Sequence, residues 1–386
     1  MAQFSTYVRA GHVFAGAMLA AVSVVQPASA EIIRVGDMLR GIEISQNQCS
    51  QTSQAVWVSM HGHNFCIRYY LSTAGGVSGK PIVFLQGDQF GTMDIKTKNF
   101  NPPADTKDTD TDNLLKFADN FSKAAKAPGI YLARIGVDGS SGHHRLRRTV
   151  LELHTINAAL DLIGQRHGYD GFHLVGQSGG SGLIGGLLAL RSDIACAVPG
   201  AGLLSLLRQA RATGDPAKNY FDPMDAAGLI SANKSARIIV VTDPQDQVVG
   251  VQHQVAFVNA MRREGRAIEQ YFVQSIDEKH HGVLVYAGRA IVMCAQGAPS
   301  TGIATDLDIL VKKRMAAAAL ARGAAAPAPA QIPRQHANAP IASPAPAPLP
   351  NAGTTIAADQ PLPSVSLPRT EWPKLPRRPG PEVLYR

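Results

Sequence analysis

The sequence predicts an α/β fold, a doubly wound and mostly parallel sheet flanked by helices. Two observations predict it. Short β-branched runs alternate with helical stretches, and those runs are apolar throughout, as strands buried on both faces require. A third observation bounds the folded body: both ends of the chain differ sharply from it in composition.

Taken in order, 55–60 and 64–71 read as a leading antiparallel pair. Strands follow at 81–85 (PIVFL), 130–133 (IYLA), 172–175 (FHLV), 195–198 (ACAV), 238–241 (IIVV) and 269–273. Between them, 149–166 sets Leu151, Ile156, Leu160 and Ile163 near one helical face, and Gly168 ends that helix. Residues 183–190 and 251–262 also read as helical. The 203–235 stretch holds Gly214, Pro216 and Pro223, a small cap and not a separate domain. No internal repeat is visible.

The 386 residues are 45% hydrophobic and 17% charged, ordinary for a globular protein. In the first thirty, Arg9 precedes an apolar run at 13–25, then Pro27 and Ala28-Ser29-Ala30. That is the layout of a secretory signal, with cleavage expected after Ala30 and a run too short to cross about 30 Å of hydrocarbon. The expectation is an exported protein, periplasmic or secreted, with no transmembrane segment. Outside the cytoplasm Cys49, Cys66, Cys196 and Cys294 tend to pair. Cys49 and Cys66 bracket the leading hairpin and are expected to pair, leaving Cys196 with Cys294. Four unpaired thiols are the alternative.

After Arg322 the chain runs into Ala-Pro repeats that hold 15 of its 25 prolines. Such a segment cannot bury enough apolar surface to offset its ordering entropy. The division is therefore 1–30 signal, 31–322 folded domain, and 323–386 disordered basic tail. The net charge of +8 falls mostly on the ends, with +1 in the signal and +5 over 301–386. The body carries little excess, so a nucleic-acid partner is not expected.

The strongest chemical signal is Phe172-His173-Leu174-Val175-Gly176-Gln177-Ser178-Gly179-Gly180-Ser181-Gly182. An apolar strand runs straight into G-x-S-x-G and then into a helix. A serine on such a turn is forced out of the sheet edge at a helix N-terminus, where amides favour developing negative charge. A dinucleotide fingerprint would need glycine at Ser178. A P-loop at 75–80 would need glycine at Ala74 and Ser or Thr at Pro81. His61-x-His63 and His143-His144 lack third ligands at recognisable spacing, so no metal or other cofactor is expected.

The elbow and its context resemble the α/β-hydrolase superfamily over about residues 55–300. In that family the partners follow in the order serine, acid, histidine. The run Asp246-Gln247-Val248-Val249 after the 238–241 strand resembles the family's D-x-V-V turn, which implies Asp246 as the acid, with Asp243 second. Either aspartate is otherwise an ordinary turn residue capping the next helix. Asp277-Glu278-Lys279-His280-His281-Gly282 stands where the family carries its base. Histidine before glycine is the commoner form, so His281 leads and His280 is the alternate. The resemblance implies an oxyanion held by the Gly179 and Asp88 amides, although Gln86-Gly87 replaces the family's His-Gly. A carboxylate there is unfavourable unless it points away. Asp88 meets a substrate amine or, more simply, is an exposed loop aspartate. Residues 136–148 resemble the family's glycine-serine loop, and Arg145, Arg147 and Arg148 either attract anionic substrates or are merely solvated.

The implied function is a cofactor-independent serine hydrolase that cleaves a carboxylic ester through an acyl-enzyme. The first alternative is a serine peptidase or aminopeptidase of the same fold. The second is a non-catalytic fold whose basic tail contacts the cell envelope. The expected partner is a small ester or peptide substrate.

Overall fold

In a computed structural model, residues 30–88, 106–205, 218–321 and 323 are described. Residues 1–29 of the expected signal segment, 324–386 of the expected tail and 206–217 of the expected cap lie outside them. From the N-terminal side the elements are β1 (Ile32–Ile33), α1 (Val35–Arg40), α2 (Gln46–Gln51), β2 (Ala55–Met60), β3 (His63–Ser72), β4 (Ile82–Leu85) and β5 (Thr109–Asp110). Next come α3 (Thr111–Ala125), β6 (Gly129–Leu132), α4 (Val150–His167), β7 (Phe172–Gln177), α5 (Gly179–Leu190) and β8 (Ile194–Gly200). The chain continues with α6 (Ala227–Ala232), β9 (Arg237–Thr242), α7 (Val251–Arg263), β10 (Glu269–Phe272), α8 (Leu284–Ala295) and α9 (Ser300–Ala321).

Eight strands form the main sheet in the order β2-β3-β6-β4-β7-β8-β9-β10. β2 pairs antiparallel with β3 and β3 antiparallel with β6; every other pairing in this sheet is parallel. The leading antiparallel pair and the parallel body that the sequence predicts are both present. β1 and β5 form a separate two-stranded ribbon.

The apolar strands read as they do because both faces are covered. Val83, Leu85, Ile130, Leu132, Leu174, Ile238 and Val240 pack into one core with α4, α5 and α7. The intervening Ile82, Phe84, Tyr131, Val175, Ile239 and Val241 pack into a second core with α3, α8 and α9. A strand with period-2 side chains between two cores has no polar face to show. Leu151, Ile156, Leu160 and Ile163 of α4 are all fully buried in the first core. Thr149 caps that helix by accepting from the Glu152 amide, and Gly168 closes it in the left-handed conformation.

Three helices were not anticipated one by one, although the folded domain was expected to run to 322. α3 and α8 cover the second face, and α9 extends the body to Ala321 with Ile303, Leu307 and Val311 buried. Lys312, Lys313 and Arg314, counted with the tail's charge, therefore sit on a helix of the folded body. The expected pairings hold: Cys49 of α2 is bonded to Cys66 of β3, and Cys196 of β8 to Cys294 of α8. Among the described residues no helix is long and apolar enough to cross a membrane.

Candidate active site

Ser178 stands between β7 and α5 with φ 53° and ψ −117°, a conformation that L-residues avoid. It occupies the N-cap position of α5, yet its side chain makes no capping hydrogen bond. A serine there ordinarily spends its hydroxyl on the helix amides. Here the backbone alone anchors it: the Ser178 amide donates to the Gly200 carbonyl at 3.0 Å, and its carbonyl accepts from the Ser181 amide at 3.1 Å. The neighbouring glycines are required by close approach. A Cβ on Gly180 would strike the Leu85 and Gln86 carbonyls, so α5 could not lie against the end of β4.

The acid and base candidates form two parallel pairs. His281 Nδ1 is 2.9 Å and 3.1 Å from the two oxygens of Asp246. His280 Nδ1 is 3.2 Å from Asp243 Oδ2. A carboxylate only accepts, so each Nδ1 is the donor, the tautomer whose neutral form has Nε2 as acceptor. The Asp246 Oδ1 also accepts from the Val248 and Val249 amides at 2.8 and 2.9 Å. Asp243 accepts from the Gln245 amide at 2.9 Å and the Ser275 amide at 2.6 Å.

What separates the pairs is their link to the elbow. Gln177, the residue before Ser178, donates from Nε2 to the His281 carbonyl at 2.6 Å. That bond spans 104 positions of sequence. His280 has φ 55°, a left-handed kink that turns successive side chains apart. Asp277 secures the loop by accepting from the His281 amide at 3.0 Å and the Gly282 amide at 2.8 Å. Partial burial would raise its pKa, but the Ser275 hydroxyl and these two amides bring it down to about 2.

The Asp88 loop lies against the serine turn. A Cβ on Gly87 would fall 3.1 Å from both the Gln177 carbonyl oxygen and Ser178 Cβ. The place a Gly179 side chain would take is occupied by the Asp88 carboxylate. The simple expectation of an exposed loop aspartate is overturned, because Asp88 is buried and paired with Arg134 at 2.9 Å and with Arg148. A carboxylate so engaged is not left to meet a substrate amine. Nor are Arg147 and Arg148 merely solvated, since both side chains are part-buried against Asp88.

Sequence reasoning missed Arg134, Glu152, Gln177 and Asp277. Only Asp277 left a local trace, four residues ahead of His281. The histidines weighed for metal are otherwise engaged. The His61 ring meets His154 edge-on, and His144 Nδ1 donates to the Met38 carbonyl at 3.0 Å.

Sheet order and elbow together define an α/β-hydrolase fold, with Ser178 at the strand-to-helix turn. Among solved structures, the chain is similar to Est1E from Butyrivibrio proteoclasticus with ferulic acid bound. That match has 12% identity over 63% of this chain and 98% of that one, with a TM-score of 0.43. It is similar also to the esterase Pf2001 of Pyrococcus furiosus, at 11% identity over 66% of this chain and 95% of that one, TM-score 0.43. A third likeness is to the acylaminoacyl peptidase of Pyrococcus horikoshii, at 14% identity and TM-score 0.42. It covers 68% of this chain, which spans only 40% of the peptidase. The fold is read from strand order and elbow geometry, not from these likenesses. No protein-family model matches the sequence, and neither does any curated protein.

Proposed function

We propose that the chain is an exported serine hydrolase that cleaves a carboxylic ester through an acyl-enzyme on Ser178. The observation that carries the reading is the Gln177–His281 hydrogen bond, which ties the His281–Asp246 pair to the residue beside a strained, uncapped serine. His281 Nε2 takes the Ser178 proton as Oγ bonds to the carbonyl carbon. Asp246 holds the ring in that tautomer and offsets its charge. The oxyanion is received by the Gly179 amide, at the first residue of α5, and by the Asp88 amide. His281 then gives the proton to the departing alkoxide as the C–O bond breaks. Water, deprotonated by the same nitrogen, releases the acid and restores the serine. Two disulfides support export, since they persist in oxidising compartments.

The test is covalent labelling with a fluorophosphonate. The wild-type chain should label, Ser178→Ala should not, and turnover of 4-nitrophenyl esters should fall by about a millionfold. Labelling that survives the change removes Ser178 from the mechanism. Aminoacyl amides turned over faster than esters would make the protein a peptidase.

A further inference from the structure

The proposed hydrolysis leaves unused a cluster of charges packed against its own nucleophile turn. Arg134 is sealed in the interior, where its Nε and Nη2 hold the two oxygens of buried Glu152 at 2.9 Å each. Its Nη1 reaches Asp88 Oδ1 at 2.9 Å and the Gln86 carbonyl at 3.2 Å. Each nitrogen of that guanidinium has a partner. The other Asp88 oxygen is bound by Arg148 Nη2 and lies 3.9 Å from Arg147 Nε. One carboxylate thus serves three guanidiniums. Burial would raise its pKa, but Arg134, Arg148 and Arg147 overcome that and hold it at about 2.

Arg148 is the member of this cluster that faces outward. Its side chain is 34% exposed, and its Nε is buried with no hydrogen-bond partner. Its backbone is pinned on both sides: the amide donates to Glu152 Oε2 at 2.5 Å and the carbonyl accepts from the Phe221 amide at 2.8 Å. The pinned residue sits at φ 63°, a left-handed conformation uncommon for arginine. Its side chain lines a small hollow shared with Gly179, Gly182, Leu183, Leu203 and Phe221. Gly179 is the residue next to Ser178.

We propose that Arg148 is a specificity-determining residue that binds a carboxylate on the acyl part of the substrate, so that the preferred substrates are half-esters of short dicarboxylic acids. This rests on Ser178 being the nucleophile. The hollow abuts Gly179, next to the nucleophile, and is here assigned to the acyl chain of the ester. The Arg148 guanidinium pairs with a carboxylate through charge-assisted N–H···O bonds, and the Leu183, Leu203 and Phe221 walls keep water away from them. A neutral acyl chain of equal length makes no such bond. A further anion is also favoured electrostatically, because three guanidiniums face only the two carboxylates Asp88 and Glu152.

The test compares mono-4-nitrophenyl glutarate with 4-nitrophenyl pentanoate on the full chain. The wild type should show at least a tenfold higher kcat/KM for the charged ester. Arg148→Gln should lower that ratio at least tenfold, mainly through KM, and Arg148→Lys should fall between, keeping charge but not the fork. Arg148→Lys also retains a cation for Asp88, which covers the case in which the glutamine variant folds poorly. Raising the salt should shrink the wild-type preference. An equal ratio in wild type and Arg148→Gln, or a wild type that prefers the pentanoate, overturns the proposal. Calorimetric titration with glutarate gives a readout independent of turnover: binding should be seen in the wild type and weaken at least tenfold in Arg148→Gln. No binding to the wild type, or equal binding to both, overturns the anion site. Loss of fluorophosphonate labelling at Ser178 with glutarate binding intact instead overturns the hydrolase reading alone.

Discussion

At the scale of single residues, hydrogen bonding treats the two histidine–aspartate pairs almost alike. Both Nδ1 atoms face a buried carboxylate, and both carboxylates are also held by two backbone amides. The Gln177 bond to the His281 carbonyl breaks the tie. On a neutral 4-nitrophenyl ester, His281→Ala should cost about 10⁶-fold in kcat, as loss of the triad histidine does. His280→Ala should cost about tenfold at most, through displacement of its neighbour. Asp246→Asn should follow the first pattern and Asp243→Asn the second. If the effects are exchanged, His280 and Asp243 are the base and acid; if neither histidine matters, Ser178 is not activated from this loop.

At the scale of elements, the site depends on how α5 and α8 are held against the sheet. α5 is held by the close approach of Gly180 to the end of β4. α8, which follows the histidine loop, is tied to β8 by Cys196–Cys294 across 98 positions, whereas Cys49–Cys66 closes only 17. Chain entropy makes the longer crosslink worth about 4.7 kcal/mol and the shorter about 3 kcal/mol. Cys294→Ser should therefore destabilise more than Cys49→Ser, by about 1.5 kcal/mol in urea unfolding. Equal losses would show that packing of α8 in the second core dominates over the crosslink.

For the whole molecule, the buried charges set the response to acid. Burial holds His173 and His144 down at about 4, against an ordinary value of 6.5. As pH falls from about 6.5 to 4, the unfolded chain takes up protons the folded chain refuses, so stability declines. Asp88, held at about 2 against an ordinary 3.8, acts lower down. Its contribution is complete above about pH 4 and is lost as pH falls towards 2, because the unfolded carboxylate protonates first. Urea unfolding across this range should show a two-stage decline, the second stage on the order of 2 kcal/mol from Asp88. His173→Gln should reduce the upper stage and Asp88→Asn the lower one. A decline unchanged by both variants would locate the acid sensitivity elsewhere.

The strands and the serine turn were legible because each is written in contiguous residues. Phe172 to Gly182 holds a buried strand, a forced turn and a helix start within eleven positions, and backbone sterics act at that range. The sequence by itself therefore determined the layered sheet, the position of Ser178 and a short list of partners, His280 or His281 with Asp243 or Asp246. It did not show that Asp88 is buried, because the guanidiniums that neutralise it lie 46 and 60 positions away. Nor did it show that the histidine loop is tied to the elbow, since that bond joins Gln177 to a residue 104 positions on. Local pattern reports which face of an element is apolar. Only the packed sheet decides which polar groups from separate elements share one low-dielectric space, and there an unpaired charge would be too costly to keep.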